Sequence, residues 1–321
     1  MGQGVVDYTM KLPIVHQTNY VSALPENHRF PMKKFRLVYE YLRNRDPSNR
    51  FQFVEADPVS EETLLAVHGE DYIRRFKQGE LSPEHQRKIG LPWSEGLVTR
   101  TFTAVGGTVR TAQLALEHGL ACNTAGGTHH AFQGEGAGFC ILNDLAVAAR
   151  YLVDRAGLNK VLIVDADVHQ GNGTAEIFQN STRVITYSIH CSENYPFTFS
   201  QSHFDVSCPE HTENNLYLRR LRRTLSEVIE EVCPEFVLYD AGVDVHEQDQ
   251  LGRLKLNDEG IRQRDQFVIR QATRRRIPIA AVIGGGYDED VESLARRHTL
   301  LHKTALETLP READPTERQF S

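Results

Sequence analysis

The feature that most constrains this chain is a set of short, nearly continuous apolar runs separated by helical patterns. The clearest runs are Val161–Asp165, 184–189, Phe236–Asp240 and 279–283, with a weaker one at Leu120–Asn123. Such runs, lacking polar alternation, mark strands buried on both faces of a parallel sheet. Helical periodicity fills the intervals. One helix is expected from Asn143 or Asn143's neighbour Asp144, with Leu145, Ala149 and Leu152 on one face. A second is expected from Asn214 or Asn215, with Leu218, Leu221, Leu225, Val228 and Val232 in register. A third follows Asp258, and a fourth follows Asp290. Asn and Asp are favoured N-caps, so these starts have a mechanism. The alternation predicts a doubly wound α/β sheet. The longest stretch expected to be irregular is about 192–213, and loops of that length tend to be functional or disordered. Residues 310–321 are polar and are expected to fray.

A length of 321 residues with 40% hydrophobic composition allows one large core. The formal charge of −7 argues against a nucleic-acid binder and reads most simply as ordinary solubility. Five cysteines, none in a C-x-x-C pair, argue against a disulfide framework or a cysteine-based zinc site and fit a reducing cytoplasm. Residues 1–10 lack a signal-peptide pattern, and no apolar stretch approaches the ~20 residues that span a bilayer.

Four motifs carry chemistry. Strand Val161–Asp165 runs into Asp165-Ala166-Asp167-Val168-His169-Gln170-Gly171-Asn172-Gly173. Residues two apart in extended chain face one way, so Asp167 and His169 can share a target with Asp165 one step behind. A strand end with capping carboxylates explains D-x-H alone equally well. Strand Phe236–Asp240 leads to Asp244, again a carboxylate just past a buried strand. Two carboxylates and one imidazole leave coordination positions open, as a catalytic metal requires. After Leu120–Asn123 comes Gly126-Gly127-Thr128-His129-His130. A lone histidine is more often structural, but two after a Gly-Gly turn suit a general base and an electrostatic partner. After 279–283 comes Gly284-Gly285-Gly286-Tyr287, where a phenol can donate to an oxyanion.

These motifs, in this order, resemble the histone deacetylase superfamily over about residues 13–309. The resemblance implies the arginase/deacetylase fold: a three-layer α/β domain with a central parallel eight-stranded sheet flanked by helices, here a single domain over 1–321. It implies metal ligands Asp167, His169 and Asp244, tandem histidines His129 and His130, an Asp165 that hydrogen-bonds the first, and a transition-state Tyr287. Gln170 and Asn172 look like class IV enzymes and many bacterial relatives; an Asn behind His130 orients the ring without adding charge. Retention of Tyr287, which class IIa enzymes replace, marks the chain as active. Gly138, Phe139, Tyr195 and Gly285 map to the substrate tunnel. Leu251 stands about where polyamine-specific members carry a gatekeeper Glu. The family's structural monovalent cation (K+) would sit at Asp165, Asp167, His169, Ser188 and Ile189, and a second at Phe178, Ser181 and Val184.

The activity implied is zinc-dependent removal of acetyl or other acyl groups from lysine side chains of proteins or peptides, with no direct nucleic-acid or membrane partner. The rivals are deacetylation of a small acylated amine, such as an acetylpolyamine, and a catalytically silent binding module. A ureohydrolase of the same fold needs two manganese ions and more ligands than the chain offers. Iron is an alternative to zinc for this ligand set. Small residues at 284–286 and around Gly138 raise the further expectation of an internal cavity that would admit longer acyl chains, with acetyl as the default.

Overall fold

Eight strands, each parallel to its neighbours, form one sheet: β1 Leu12–Val15, β2 Phe51–Val54, β3 Leu120–Asn123, β4 Val161–Asp165, β5 Val184–Cys191, β6 Phe204–Cys208, β7 Phe236–Asp240 and β8 Ile279–Val282. The order across the sheet is β2-β1-β3-β8-β7-β4-β5-β6. The structure is a computed structural model and describes residues 10–46 and 49–309; the polar tail expected at 310–321 lies outside these. Strands β1, β3, β4, β5, β7 and β8 are buried at every residue, as continuous apolar runs require when helices cover both faces. On one face pack helices Lys34–Asn44, Val291–Thr308, Asp258–Thr273 and Asn214–Val232, each against the next. A second group contains Glu95–His118, Asp144–Asp154 and Asn172–Phe178. This is the three-layer arrangement of the arginase/deacetylase fold.

The expected caps are in place at two of the four helices, and at a third the cap is Asn257, one residue before the expected Asp258. Asn143 accepts from Ala146 N–H, Asn257 from Gly260 N–H, and Asp290 from the N–H groups of Glu292 and Ser293. At the fourth, Asn214 is inside the helix and Glu213 precedes it. The Asn214 amide is engaged elsewhere, exchanging hydrogen bonds of 2.8 and 3.1 Å with the side chain and backbone of Asn257.

The stretch expected to be irregular, 192–213, contains β6. Its residues alternate between half-buried and exposed up to a buried Cys208, because β6 is the sheet's edge. An edge strand has one neighbour and no continuous apolar signature, so the run escapes a search for doubly buried strands. β1 and β2 escape for similar reasons: each spans four residues, β1 contains Pro13, and β2 forms the opposite edge.

Candidate active site

Four adjacent central strands, β3, β8, β7 and β4, deliver the four motifs to one edge of the sheet. Carboxyl ends of parallel strands are where ligands bind in open α/β folds. The ends of β4 and β7 lie side by side, Asp165 opposite Asp240, so the loops beyond them bring Asp167, His169 and Asp244 together. Ligand atoms of these three buried residues lie within 4.8 Å of one another. His169 Nδ1 faces Asp167 Oδ1 at 3.0 Å and Asp244 Oδ2 at 3.1 Å. The other carboxylate oxygens are held by backbone donors: Asp167 Oδ2 accepts from Gly285 N–H at 2.7 Å, and Asp244 Oδ1 from Val168 N–H at 2.8 Å. Three donor atoms are thereby left converging on one point.

The electrostatics of this point call for a cation. Burial works against charge on His169, yet the two carboxylates raise its pKa to about 10. Burial and the nearby Asp167 charge push Asp244 up to about 7. A proton on the imidazole thus neutralises what a divalent ion would neutralise better. Two hard oxygens and one imidazole nitrogen suit zinc or a similar ion, with coordination positions left over. Gly285 is part of this cradle, for a Cβ there would collide with Asp244 Oδ2 and Asp167 Oδ2.

The tandem histidines come off β3 through a turn with φ of +110° at Gly126 and +72° at Gly127. A side chain at Gly127 would meet the Gly284 backbone, so the two glycine turns nest. Asp144 clamps the turn, accepting from Gly127 N–H, Thr128 N–H and the Thr128 hydroxyl. His129 Nδ1 donates to Asp165 Oδ2 at 2.7 Å, and His130 Nδ1 donates to Asn172 Oδ1 at 2.8 Å. Burial opposes charge on His129, but Asp165 and Asp167 overcome it and raise its pKa well above 6.5. Burial, with repulsion from His129 and His169, holds His130 well below 6.5. His130 is therefore neutral with Nε2 free to accept a proton.

Tyr287 is fixed by its backbone, its N–H donating to Asp249 at 2.7 Å and its carbonyl accepting from Gln250 at 2.9 Å. Burial and the carboxylates of Asp167 and Asp244 raise its phenol well above 10, so it remains a donor. A cavity of about 320 Å³ descends to this group between Phe139, Tyr195, Leu251 and Gly138, with His130, His169 and Tyr287 at its floor. Gly138 keeps the passage open, since a Cβ there would lie 2.8 Å from the His130 ring and 3.2 Å from Tyr195. Phe139 has φ of +68°, strained for a bulky residue, and is held by Phe139 N–H donating to Ile89 O at 2.8 Å. Gly285 borders a smaller cavity behind the ligands instead of the outer passage.

Of the residues expected at monovalent-cation sites, Asp165 and Ser188 face each other across β4 and β5, next to Ile189. Phe178, Ser181 and Val184 form a closed turn, Ser181 N–H donating to Phe178 O and Val184 N–H to Ser181 Oγ.

Four residues around the site escape the sequence reading. Asp249 accepts from Leu251, Gly252 and Tyr287 N–H groups and so joins the wall of the cavity to Tyr287. Lys34 is fully buried and donates to the carbonyls of Gly284 and Gly286. Arg264, from helix Asp258–Thr273, donates to Ala166 O and Gly242 O and ties the two ligand loops together. Arg100 lies beside the rear cavity. No local pattern marks these: Asp249 reads as one more polar loop residue, and Lys34, Arg100 and Arg264, charged residues on helices, read as solvated until the fold brings partners to them. Asp240 differs, since it ends a strand two positions before Gly242 and could have been flagged. Its buried carboxylate lies 3.9 Å from His129 Nδ1.

A histone deacetylase domain matches residues 28–303. The chain belongs to the histone deacetylase family. It is 48% identical over 296 residues to an uncharacterized protein of Picosynechococcus, covering 92% of this chain and 99% of that one. It is 30% identical over 315 residues to histone deacetylase 2 of Arabidopsis thaliana, covering 89% and 79% of the two chains. The acetoin utilization protein AcuC of Staphylococcus aureus is 30% identical over 287 residues, with 82% and 73% covered.

Proposed function

We propose that this family member hydrolyses the acyl amide of an acylated lysine, using one divalent ion, zinc by preference, held by Asp167, His169 and Asp244. The observation that carries this reading is the convergence of Asp167, His169 and Asp244 beside two histidines held at Nδ1 by Asp165 and Asn172, with His130, His169 and Tyr287 lining one cavity. An ion in the cradle would act as a Lewis acid, polarising the acyl carbonyl and acidifying a water. The chain supplies the rest. His130 Nε2 takes a proton from the attacking water and returns one to the leaving amine. Charged His129, paired with Asp165, lowers the energy of the developing negative charge. The Tyr287 hydroxyl donates to the oxyanion. Phe139 and Tyr195 grip the methylene stem.

The rear cavity bears on acyl length. Its volume is about 30 Å³, and Lys34 and Arg100 are among its lining. That is room for about one water, and a longer acyl chain would have to press against two buried cations. Acetyl, the default of the sequence reading, is the acyl group this lining favours over the longer chains that small residues alone would admit, because Lys34 and Arg100 reach the cavity from distant helices.

Supporting roles follow the family. A monovalent cation such as K+ at the Asp165–Ser188 strand ends would brace the ligand loop. Five free cysteines, four of them buried, fit a reducing cytoplasm. Among the described residues no helix is long and apolar enough to cross a membrane. The test is hydrolysis of an acetyl-lysine peptide by purified protein, before and after chelation and re-addition of zinc. Asp244→Asn should lose bound metal and activity together. An active metal-free variant would sink the reading, and full metal loading without turnover would favour a silent binding module.

A further inference from the structure

The mouth of the passage is lined by Arg29 and Lys88, and no carboxylate shares that lining. The two cations differ. Lys88 Nζ is paired with Glu135 at 2.8 Å and approaches Glu84 at 3.9 Å. Arg29 is exposed, and no carboxylate among the described residues lies within ion-pair distance of it. It is nevertheless held in place. Its guanidinium carbon sits 5.0 Å from the centre of the Phe139 ring, the tunnel wall itself. Its chain neighbours are pinned: His28 Nε2 bonds Gly90 O at 3.0 Å, Phe30 N–H donates to His28 Nδ1 at 3.1 Å, and Phe30 is buried 5.2 Å from the Phe139 ring. Across the mouth stands Phe197, 94% exposed. The entrance is thus a cation on one side and an apolar ring on the other.

We infer that Arg29 is a specificity-determining residue, selecting acylated amines that carry a carboxylate at the outer end of the stem. This rests on the acyl-lysine reading above. A guanidinium stacked on an aromatic face keeps its donor edge free, and a fixed fork matches a carboxylate. With the acyl amide at the floor, the lysine stem brings the amino acid's backbone end to the mouth. The carboxylate has two sources: the α-carboxylate of a free acyl-lysine, or the side chain of an acidic residue next to acyl-lysine in a peptide. Polycationic amines are disfavoured by the same charge.

Paired substrates of equal stem length separate this from a packing role, because any loosening of Phe139 affects both members of a pair. One pair is Nα-capped Nε-acetyl-lysine as acid and as carboxamide. The other is a capped dipeptide amide with Asp or Asn after acetyl-lysine. Wild type should favour the carboxylate member of at least one pair by roughly fivefold in kcat/KM, the top of the range for an exposed ion pair, through KM with kcat little changed. Which pair responds identifies the source. Arg29→Gln should erase the preference, Arg29→Lys should keep part of it, and Arg29→Glu should invert it. Calorimetric binding of two hydroxamates with the same stem, one ending in carboxylate and one in carboxamide, gives a readout independent of turnover. Equal handling of both members by wild type in every pair and in binding, or a preference that survives Arg29→Gln, overturns the inference. Arg29-dependent hydroxamate preference without hydrolysis of any substrate would uphold it and reject the deacylase reading.

Discussion

His129 and His130 are adjacent, chemically identical and 4.1 Å apart between ring centres, yet their surroundings push them in opposite directions. Burial opposes charge on both; at His129 the carboxylates of Asp165 and Asp167 outweigh it, whereas His130 is repelled by His129 and His169 and meets only the neutral amide of Asn172 at Nδ1. The sign of a pH prediction follows. A general base works only unprotonated, so kcat/KM should fall as pH drops through the pKa of His130, which lies well below 6.5. Asn172→Asp would place negative charge behind His130 and raise that pKa. The acid limb of the pH–rate profile should then move to higher pH while the variant stays folded. An unmoved limb would show that His130 is not the titrating base. Tyr287→Phe probes the other end of the reaction. Loss of one oxyanion donor costs on the order of 100- to 1000-fold in turnover, with KM changed only modestly. Near-normal turnover would assign the oxyanion to other donors.

At the scale of elements, the helix Asp144–Asp154 shows how caps and turns fix the site. Asn143 caps it, and His68 accepts from the Asn143 N–H at 2.9 Å through Nε2. That bond requires a neutral ring, and burial lowers the His68 pKa to about 4. Between pH 6.5 and 4 the unfolded chain binds a proton here that the folded chain does not, so stability falls as pH falls through this window. The shift corresponds to about 3 kcal/mol by pH 4. His68→Gln removes the titration, so urea unfolding at pH 7 and pH 4 should show wild type losing about that much more than the variant. Parallel losses would remove His68 from the account. The same element marks what can be read from the chain alone. Asn143 was legible as a cap because its signal is local: a short polar side chain before an apolar periodic run. β4 and β7 were legible because burial on both faces writes itself into every residue. His68 was not legible, since its partner is 75 positions away. β6 was not, since an edge strand carries only half the apolar signal. The candidate ligands Asp167, His169 and Asp244 were legible because they sit two to four residues past readable strands. Arg264 was not, because nothing in its helix tells that it reaches across to Ala166 and Gly242.

At the scale of the whole molecule, the site is a junction between layers. The candidate ligands come from the sheet's carboxyl edge, but their loops are held by Arg264 from a helix packed on one face. Arg264 is fully buried, and one of its terminal nitrogens serves both loop carbonyls, while Nε bonds Asp265. Lysine could keep the charge but not hold the two carbonyls and Asp265 at once, since all its donors sit on one nitrogen. Arg264→Lys should therefore leave the fold standing and loosen the spacing between Asp167 and Asp244. Groups that orient metal ligands typically control about 10- to 100-fold in metal affinity, and that is the loss expected by competition with a chromophoric chelator. Metal binding to the folded state alone also raises stability by mass action, about 2.7 kcal/mol at a hundredfold excess over Kd. In a chain of this size that is on the order of 5 °C in melting temperature. Excess chelator should lower the melting temperature of wild type by about this amount. Asp244→Asn, lacking a ligand, should melt at the same temperature with or without chelator, and Arg264→Lys should fall between at limiting zinc. A wild-type melting temperature indifferent to chelator would mean that no ion couples to this junction, and the metal assignment would fall with it.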